Sequence, residues 1–403
     1  MAATKDRMTG GQGEPSLALG IAFGFLSSLG PLAIDLYLPA MPGMARSFAV
    51  DTGGIQRTLS AFFLGLALAQ IPLGTLGDRY GRRRPLLGGL TLFILGSIAC
   101  AAATSLDQLI LCRFLQGMGA CAGTSSVRAM IRDRFNGHRA AKLMAFTFLI
   151  IGISPVLAPL AGSVLLQMMS WRGLFALLAG GGGIALLAVL LFLPESLPPE
   201  RRIPQLPMLA SYRQLLTSPA FLGWTMVAGL GTTIPFAFVT AAPFLYTQGF
   251  GLTAHQYSLL LALNAGTSIV ATQFAPTMMR RLGARRLVTV VALIAIGASA
   301  LMALTSVSLA VSIAAFQLYA MLLFALAGLV LTPAAISALD AAAGGAGAAA
   351  GLLGTLQLAI TALASGAVSL LPSMAVLPLT LLLGGSFTLM ALVMLALGRR
   401  QAG

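Results

Sequence analysis

The stretch GTLGDRYGRRRPL, residues 74–86, is a short charged segment between two long apolar runs. Its arginines, Arg79, Arg82, Arg83 and Arg84, mark a loop on the cytoplasmic side of a membrane protein. Topogenesis alone asks for arginines; it does not ask for the framework of Gly74, Asp78 and Gly81 around them. Gly81 permits a tight turn, and Asp78 is placed to cap the positive N-terminal end of a neighbouring helix. Further along, RAMIRDRF (128–135) sets Asp133 among arginines on the same side, within reach of Arg82. Gly74, Asp78, Gly81, Arg82 and Asp133 are therefore expected to form a cytoplasmic latch, made in one conformation and broken in another.

The composition around this loop fits a membrane. Of 403 residues, 58% are hydrophobic and 8% charged, against about 25% charged in an average soluble domain. A helix needs about 20 apolar residues to cross roughly 30 Å of hydrocarbon. That criterion predicts twelve spans, at about 17–41, 55–77, 86–103, 106–128, 141–166, 172–193, 220–247, 256–279, 286–305, 308–332, 347–371 and 375–397. The runs do not alternate with period two, which excludes a closed barrel. The fold class is all-α and polytopic.

The formal charge of +14 does not point to nucleic acid, because the basic residues cluster between apolar runs. With both termini cytoplasmic, twenty of the 24 Lys and Arg lie on that side. Arg46, Arg57 and Arg172 lie on the other, and Arg113 is left inside a span. Cys100, Cys112 and Cys121 fall within spans in an odd number, so neither a disulfide framework nor a metal site is expected. His138 and His255 are isolated in loops. The apolar run after the polar tail is too long for a signal peptide and reads as the first span.

The segment 194–219 holds six prolines, at 194, 198, 199, 204, 207 and 219, and reads as a linker. It divides the chain into a cytoplasmic tail (1–16), a six-helix bundle (17–193), the linker, a second six-helix bundle (220–397) and a short cytoplasmic tail (398–403). The loop RRLGARRL (280–287) echoes DRYGRRRP (78–85), with Gly283 matching Gly81. The echo suggests two pseudosymmetric halves, a known transporter architecture.

Two charges lie deep in the spans. Asp35, in LGPLAIDLYLPAMP (29–42), is the only deep acid, at a cost of about 2.5–3.5 kcal/mol on insertion scales. On one continuous helix, Gly24, Ser28, Pro31, Pro39 and Pro42 share its stripe, which would face the interior or a wet cavity. Arg113, in LCRFLQGMGACAGT (111–124), stays charged and shares a face with Gln116, Gly117, Ala120 and Thr124. Electrostatic sensing between Asp35 and Arg113 is the expectation, rather than a fixed salt bridge.

In the fifth span, GISPVLAPLAGS (152–163) carries Gly152, Ser154, Pro155, Pro159 and Gly162 at spacings that permit close helix approach and a bend. In the seventh, Phe236 and Phe238 can stack on an aromatic or amphipathic substrate, and Asn264 in the eighth can orient it. Packing in the core or against lipid is the competing reading for each phenylalanine.

These stretches resemble the major facilitator superfamily, and within it drug:proton antiporters of the Bcr/CflA type. GTLGDRYGRRRPL resembles the G-x-L-x-D-x-x-G-R-[RK] signature, and RFLQGMGA (113–120) the R-x-x-x-G-x-G signature of the fourth helix. IDLYLPAMP, SPVLAPLAG, MSWRGLF and ESLPPERR are similar to Bcr-type segments. The resemblance implies a twelve-helix fold with a central cavity and proton-coupled antiport by alternating access. It implies Asp35 as the residue binding proton or cationic drug, Arg113 as the coupling arginine, and Asp78, Arg82 and Asp133 as latch residues. Two departures stand out. The helix-five motif reads Ala158-Pro159 and Gly162-Ser163 where relatives read G-P and G-G, and Ser27 stands where some relatives carry a second acid.

The expected function is proton-coupled export of small amphipathic drugs across a bacterial cytoplasmic (inner) membrane. The expected protein is a monomer in the lipid bilayer, with the proton as coupling ion, no cofactor and no nucleic-acid partner. One charge crossing about 130 mV releases about 3 kcal/mol. At about 1.4 kcal/mol per tenfold, one carboxylate supports a drug gradient on the order of a hundredfold. The rival is an exporter of a small metabolite, an amino acid or sugar, on the same fold. A membrane enzyme would need a nucleophile–base pair or metal cluster in the spans, and the sequence has neither.

Overall fold

A computed structural model describes residues 17–135, 137–202, 208–308, 311–342, 346–372 and 375–402. The first tail (1–16), residues 203–207 of the linker, the start of the glycine-rich run before the eleventh span, and Gly403 lie outside the described residues.

Twelve helices of 19 residues or more are described: α1 Leu17–Asp35, α2 Thr52–Tyr80, α3 Arg83–Ala102, α4 Leu106–Arg134, α5 Gly137–Met168, α6 Trp171–Phe192, α7 Pro219–Phe244, α8 Ala254–Leu282, α9 Ala284–Ser308, α10 Ile313–Asp340, α11 Ala346–Val368 and α12 Val376–Ala402. Eleven of the twelve are long and apolar enough to cross a membrane. The exception is α4, which is long enough but carries Asp107, Arg113, Arg128, Arg132, Asp133 and Arg134. Large exposed hydrophobics such as Leu95, Leu149, Ile184, Leu301 and Leu363 lie along the helices, as lipid-facing positions require. Polar caps start several helices: Ser105 accepts from Gln108 N, Ser218 from Phe221 N, and Thr253 forms a reciprocal capping box with Gln256.

The first span differs from its reading as one helix over 17–41. The α-helix stops at Asp35, a turn covers Leu36–Tyr37, a 3₁₀ turn Leu38–Ala40, and a separate short helix Met41–Ser47 follows. Pro39 and Pro42 cause the break, since neither can donate a helix hydrogen bond. Neither proline therefore shares a helix stripe with Asp35.

The chain forms two units. The first comprises Met1–Tyr37 and Ala61–Leu206, the second Leu38–Ser60 and Pro207–Gly403. The second unit thus takes up Leu38–Ser60, which the reading of one bundle over 17–193 placed with the first half. Within that unit, Gln56 Nε2 donates to Thr240 O (3.2 Å) and Ser60 Oγ to Ser365 Oγ (3.0 Å).

Packing repeats between the units. In the first, α1 lies against α5, α4 and α6, and α3 against α4 and α6; in the second, α7 lies against α11, α10 and α12, and α9 against α10 and α12. Each partner recurs six helices on, in line with the paired loops at 78–85 and 280–287. In the first unit, α2 approaches α4 through Gly65 and Gly117, where an added Cβ would collide with the backbone of Phe114 and Phe62. That contact carries Phe62 toward Arg113.

Candidate functional site

Asp35 is the last residue of α1 and is 6% exposed. A helix C-terminus carries partial negative charge, so the position adds to the cost of an ionised carboxylate. One compensation is visible: Ser154 Oγ of α5 donates to Asp35 Oδ2 at 3.0 Å. The α1–α5 contact is close because Gly20 and Gly24 of α1 leave room for Phe146 and Ile150. Gly152 faces open space, so the close approach comes from the glycines of α1, not from Gly152 as the spacing in α5 suggested. Pro155 is half-buried and Pro159 and Gly162 are buried; both prolines sit inside α5.

Arg113 is fully buried. Its Nη1 donates to Ala33 O (3.1 Å) and Gln116 Oε1 (2.6 Å), and Gln116 Nε2 passes the chain on to Ser97 Oγ (2.8 Å). Its Nε and Nη2 have no hydrogen-bond acceptor. Aromatic faces surround the guanidinium instead: Phe62 at 4.4 Å, Tyr37 at 4.5 Å and Phe175 at 5.8 Å from ring centroid to Cζ. A desolvated cation over a ring is worth about 2 kcal/mol. Arg82 pairs with Asp78 and Asp133, and neither Asp35 nor Arg113 takes part in an ion pair among the described residues. Asp35 and Arg113 are thus separately housed, joined only through α1, whose Ala33 carbonyl Arg113 holds.

At the α2–α3 turn, Arg82 bridges two carboxylates. Nη1 lies 2.6 Å from Asp78 Oδ1 and Nε 2.9 Å from Asp133 Oδ2. Burial disfavours the Arg82 cation, but Asp133 and Asp78 outweigh it and hold its pKa above the ordinary value. Asp78 therefore pairs with Arg82, and the neighbouring helix end is held by another acid. Glu195 accepts from Arg82 N (2.8 Å) and Arg83 N (3.2 Å) at the start of α3, and from Ser196 N and Leu197 N. Ser196 Oγ completes the cluster by donating to Asp133 Oδ2, and Arg134 Nη2 donates to Pro194 O. Gly74 meets nothing that a side chain would disturb.

Gly81 is fixed twice over. Its φ is +91°, and an added Cβ would collide with the Glu195 carboxylate. Gly81→Ala is expected to cost at least about 2 kcal/mol and to release Glu195, measured as a lower melting temperature and faster proteolysis at the linker. Glu195 gives a second prediction. Burial alone would raise its pKa, but the four backbone N–H bonds outweigh burial and hold the carboxyl below its usual range. A depressed acid stabilises the fold above its unfolded pKa of about 4.3 and loses that contribution as pH falls through the folded value. Glu195→Gln is expected to melt below wild type at neutral pH, by about 1–2 kcal/mol. The two melting curves should begin to approach each other at about pH 4.3 and converge only once the pH has fallen through the lower folded-state value.

In the second unit, Phe238 is 1% exposed. It stacks on Phe316 (5.8 Å, 16°) and meets Phe324 and Tyr246 edge-on. Its faces are spent on protein rings, which favours the core reading over a drug-stacking one. Asn264 is fully buried and accepts from Gln317 Nε2 at 2.8 Å, while Phe236 is half-buried. No cluster of three potential metal ligands occurs among the described residues.

Sequence reasoning missed Glu195, Ser196 and the ring cage of Tyr37, Phe62 and Phe175. A signal for Glu195 existed: α3 begins after Gly81-Arg82 with no Ser, Thr, Asp or Asn as its own cap, so its N–H groups needed an outside acceptor. The cage had none, because its rings come from three distant segments.

Two like-packed sets of six helices, the first holding a buried acid and a buried arginine, describe a multi-pass membrane protein. The Major Facilitator Superfamily profile matches residues 23–365, and the chain belongs to that superfamily. It is 32% identical over 364 residues to the uncharacterized MFS-type transporter YdgK of Bacillus subtilis (strain 168), covering 88% of this chain and 89% of that protein. It is 28% identical over 272 residues to a bicyclomycin resistance protein homolog of Haemophilus influenzae, covering 67% and 68%. Among solved structures, a D-xylose-proton symporter shares 15% identity with a TM-score of 0.74, covering 94% of this chain and 97% of that one. At that identity the likeness is one of fold.

Proposed function

We propose that the chain exports small amphipathic drugs across a bacterial inner membrane in exchange for protons, by alternating access, with both termini cytoplasmic. The observation that carries the reading is Asp35: a buried carboxylate at a helix C-terminus, held by a neutral hydroxyl and paired with no cation. Such a group is costly when ionised and is relieved by a proton; a drug that binds only the ionised form releases that proton, which is the coupling antiport requires. The name of the bicyclomycin relative supports a drug as cargo. Arg113, lacking a counter-anion, supplies a fixed field near α1, and the Arg82 cluster serves as the cytoplasmic latch.

The test is a drug-susceptibility panel on cells expressing the chain, with and without a protonophore. The proposal expects raised tolerance to uncharged or singly charged amphipathic antibiotics, abolished by the protonophore. Unchanged tolerance with altered intracellular amino-acid or sugar pools would instead indicate a metabolite exporter.

A further inference from the structure

Ser154 differs from the span hydroxyls of its unit that donate within their own helix. Buried hydroxyls in a helix usually donate back to their own helix, and here Ser28, Thr124 and Ser163 donate to carbonyls three residues back, at Phe25, Cys121 and Leu160. Ser97 and Thr147 donate four residues back. Ser154 reaches across to Asp35 instead. The carbonyl three residues behind it is that of Ile151, and this carbonyl is special. Its helix donor would be the N–H of residue 155, but residue 155 is proline and has none. An acceptor without its helix partner thus lies at one of the two places, three and four residues back, where hydroxyls of this protein donate.

We infer that Ser154 is a positioning residue with two settings, which reports the protonation state of Asp35 to the proline-broken segment of α5. The inference rests on the reading of Asp35 as the proton carrier. With Asp35 ionised, the Ser154 O–H donates to the carboxylate across the 3.0 Å contact. When Asp35 takes up a proton, its new O–H donates to Ser154 Oγ, and the serine proton turns to Ile151 O. One proton is bound and no bond of the chain is made or broken. The second setting supplies the carbonyl that Pro155 leaves unpaired, so α5 gains a hydrogen bond at its weakest turn only when Asp35 is protonated. A change in the bend at Pro155 and Pro159 follows from the proton alone.

The charged neighbours of Asp35 are few. From α4 comes Arg113, bonded to Ala33 O. In α5, Arg139 and Lys142 sit in the first turns, far along the helix from Ser154. In α6, Arg172 is at the first turn and donates to Ala103 O. Tyr37 follows two residues after Asp35, its ring against Arg113. None of these bonds the carboxylate, so Ser154 is the direct lever on it.

The experiment follows the protonated Asp35 carboxyl by its C=O stretching band in infrared difference spectra of the purified full chain in lipid. The band is identified by its loss in Asp35→Asn. A charge-assisted hydrogen bond is about twice as strong as a neutral one, so losing the hydroxyl penalises the ionised state more. Ser154→Ala is expected to raise the titration midpoint by about one pH unit, a factor of about ten in proton affinity. Ser154→Thr should restore the wild-type midpoint. Pro155→Ala returns an N–H to Ile151 O, which must then share that acceptor with the serine hydroxyl and so weakens the second setting; the midpoint should fall. An unmoved midpoint in Ser154→Ala, an unmoved or raised midpoint in Pro155→Ala, or a carboxyl band that never titrates overturns the inference. The readout needs no transport. Chloramphenicol accumulation that persists in Asp35→Asn would sink the proposed function while leaving the infrared result standing.

Discussion

Replacing Asp35 by Asn is expected to abolish proton-driven accumulation while leaving the fold intact or firmer. In inverted membrane vesicles energised to an acid interior, the wild-type chain should concentrate chloramphenicol on the order of a hundredfold, the limit set by one proton across about 130 mV. With Asn the ratio should fall to about one. The amide matches the carboxylate in size and still accepts from Ser154 Oγ, so packing at α1 and α5 is kept. It also removes a charge that is buried and sits at the negative end of α1. The melting temperature should therefore hold or rise as transport is lost. Full transport by the variant, or a collapse of the fold, contradicts this account.

The second large effect is expected at Arg113. Arg113→Ala removes two charge-assisted hydrogen bonds and the stacking of Phe62 and Tyr37 around a cation. It also strands Gln116 Oε1 and leaves a cavity where the guanidinium lay. Removing a desolvated charge offsets part of this, leaving a net loss of about 2–4 kcal/mol and no measurable transport. Arg113→Lys should recover part of the stability and little of the transport, because an ammonium cannot hold Ala33 O and Gln116 while lying flat on two rings. Unfolding can be followed by a thiol-reactive dye in a background where the half-buried Cys112 is replaced by Ser, since Cys100 and Cys121 are buried and free. A stable and active Arg113→Ala would show that the cage is filler.

Much of this was legible in the sequence for one reason: charges in apolar runs are rare and must be housed. Asp35, Arg113 and the arginine loop all follow from that, as do the twelve helices and the repeat marked by Gly81 and Gly283. What the sequence hid were relations between distant segments. Asp35 read as mid-helix because apolar composition does not distinguish a continuous helix from one broken at Leu36–Tyr37, and prolines read equally well as bends. The same break lets Leu38–Ser60 pack with the second unit. Glu195 is far in sequence from the helix end it caps, and nothing local says where its carboxylate goes. Phe238 read as either a drug-stacking or a packing ring, because an aromatic in a span looks alike whether its faces meet a cavity or, as here, Phe316 and Phe324.

The central claim is that outward drug movement and inward proton movement are one event at Asp35. Proteoliposomes of the purified chain, loaded with chloramphenicol and a trapped pH indicator, measure it directly when diluted into drug-free buffer of equal pH. Antiport predicts that drug efflux acidifies the lumen, with about one proton entering per drug molecule, and that Asp35→Asn gives no acidification. Drug efflux with an unchanged lumenal pH in the wild-type protein would contradict it.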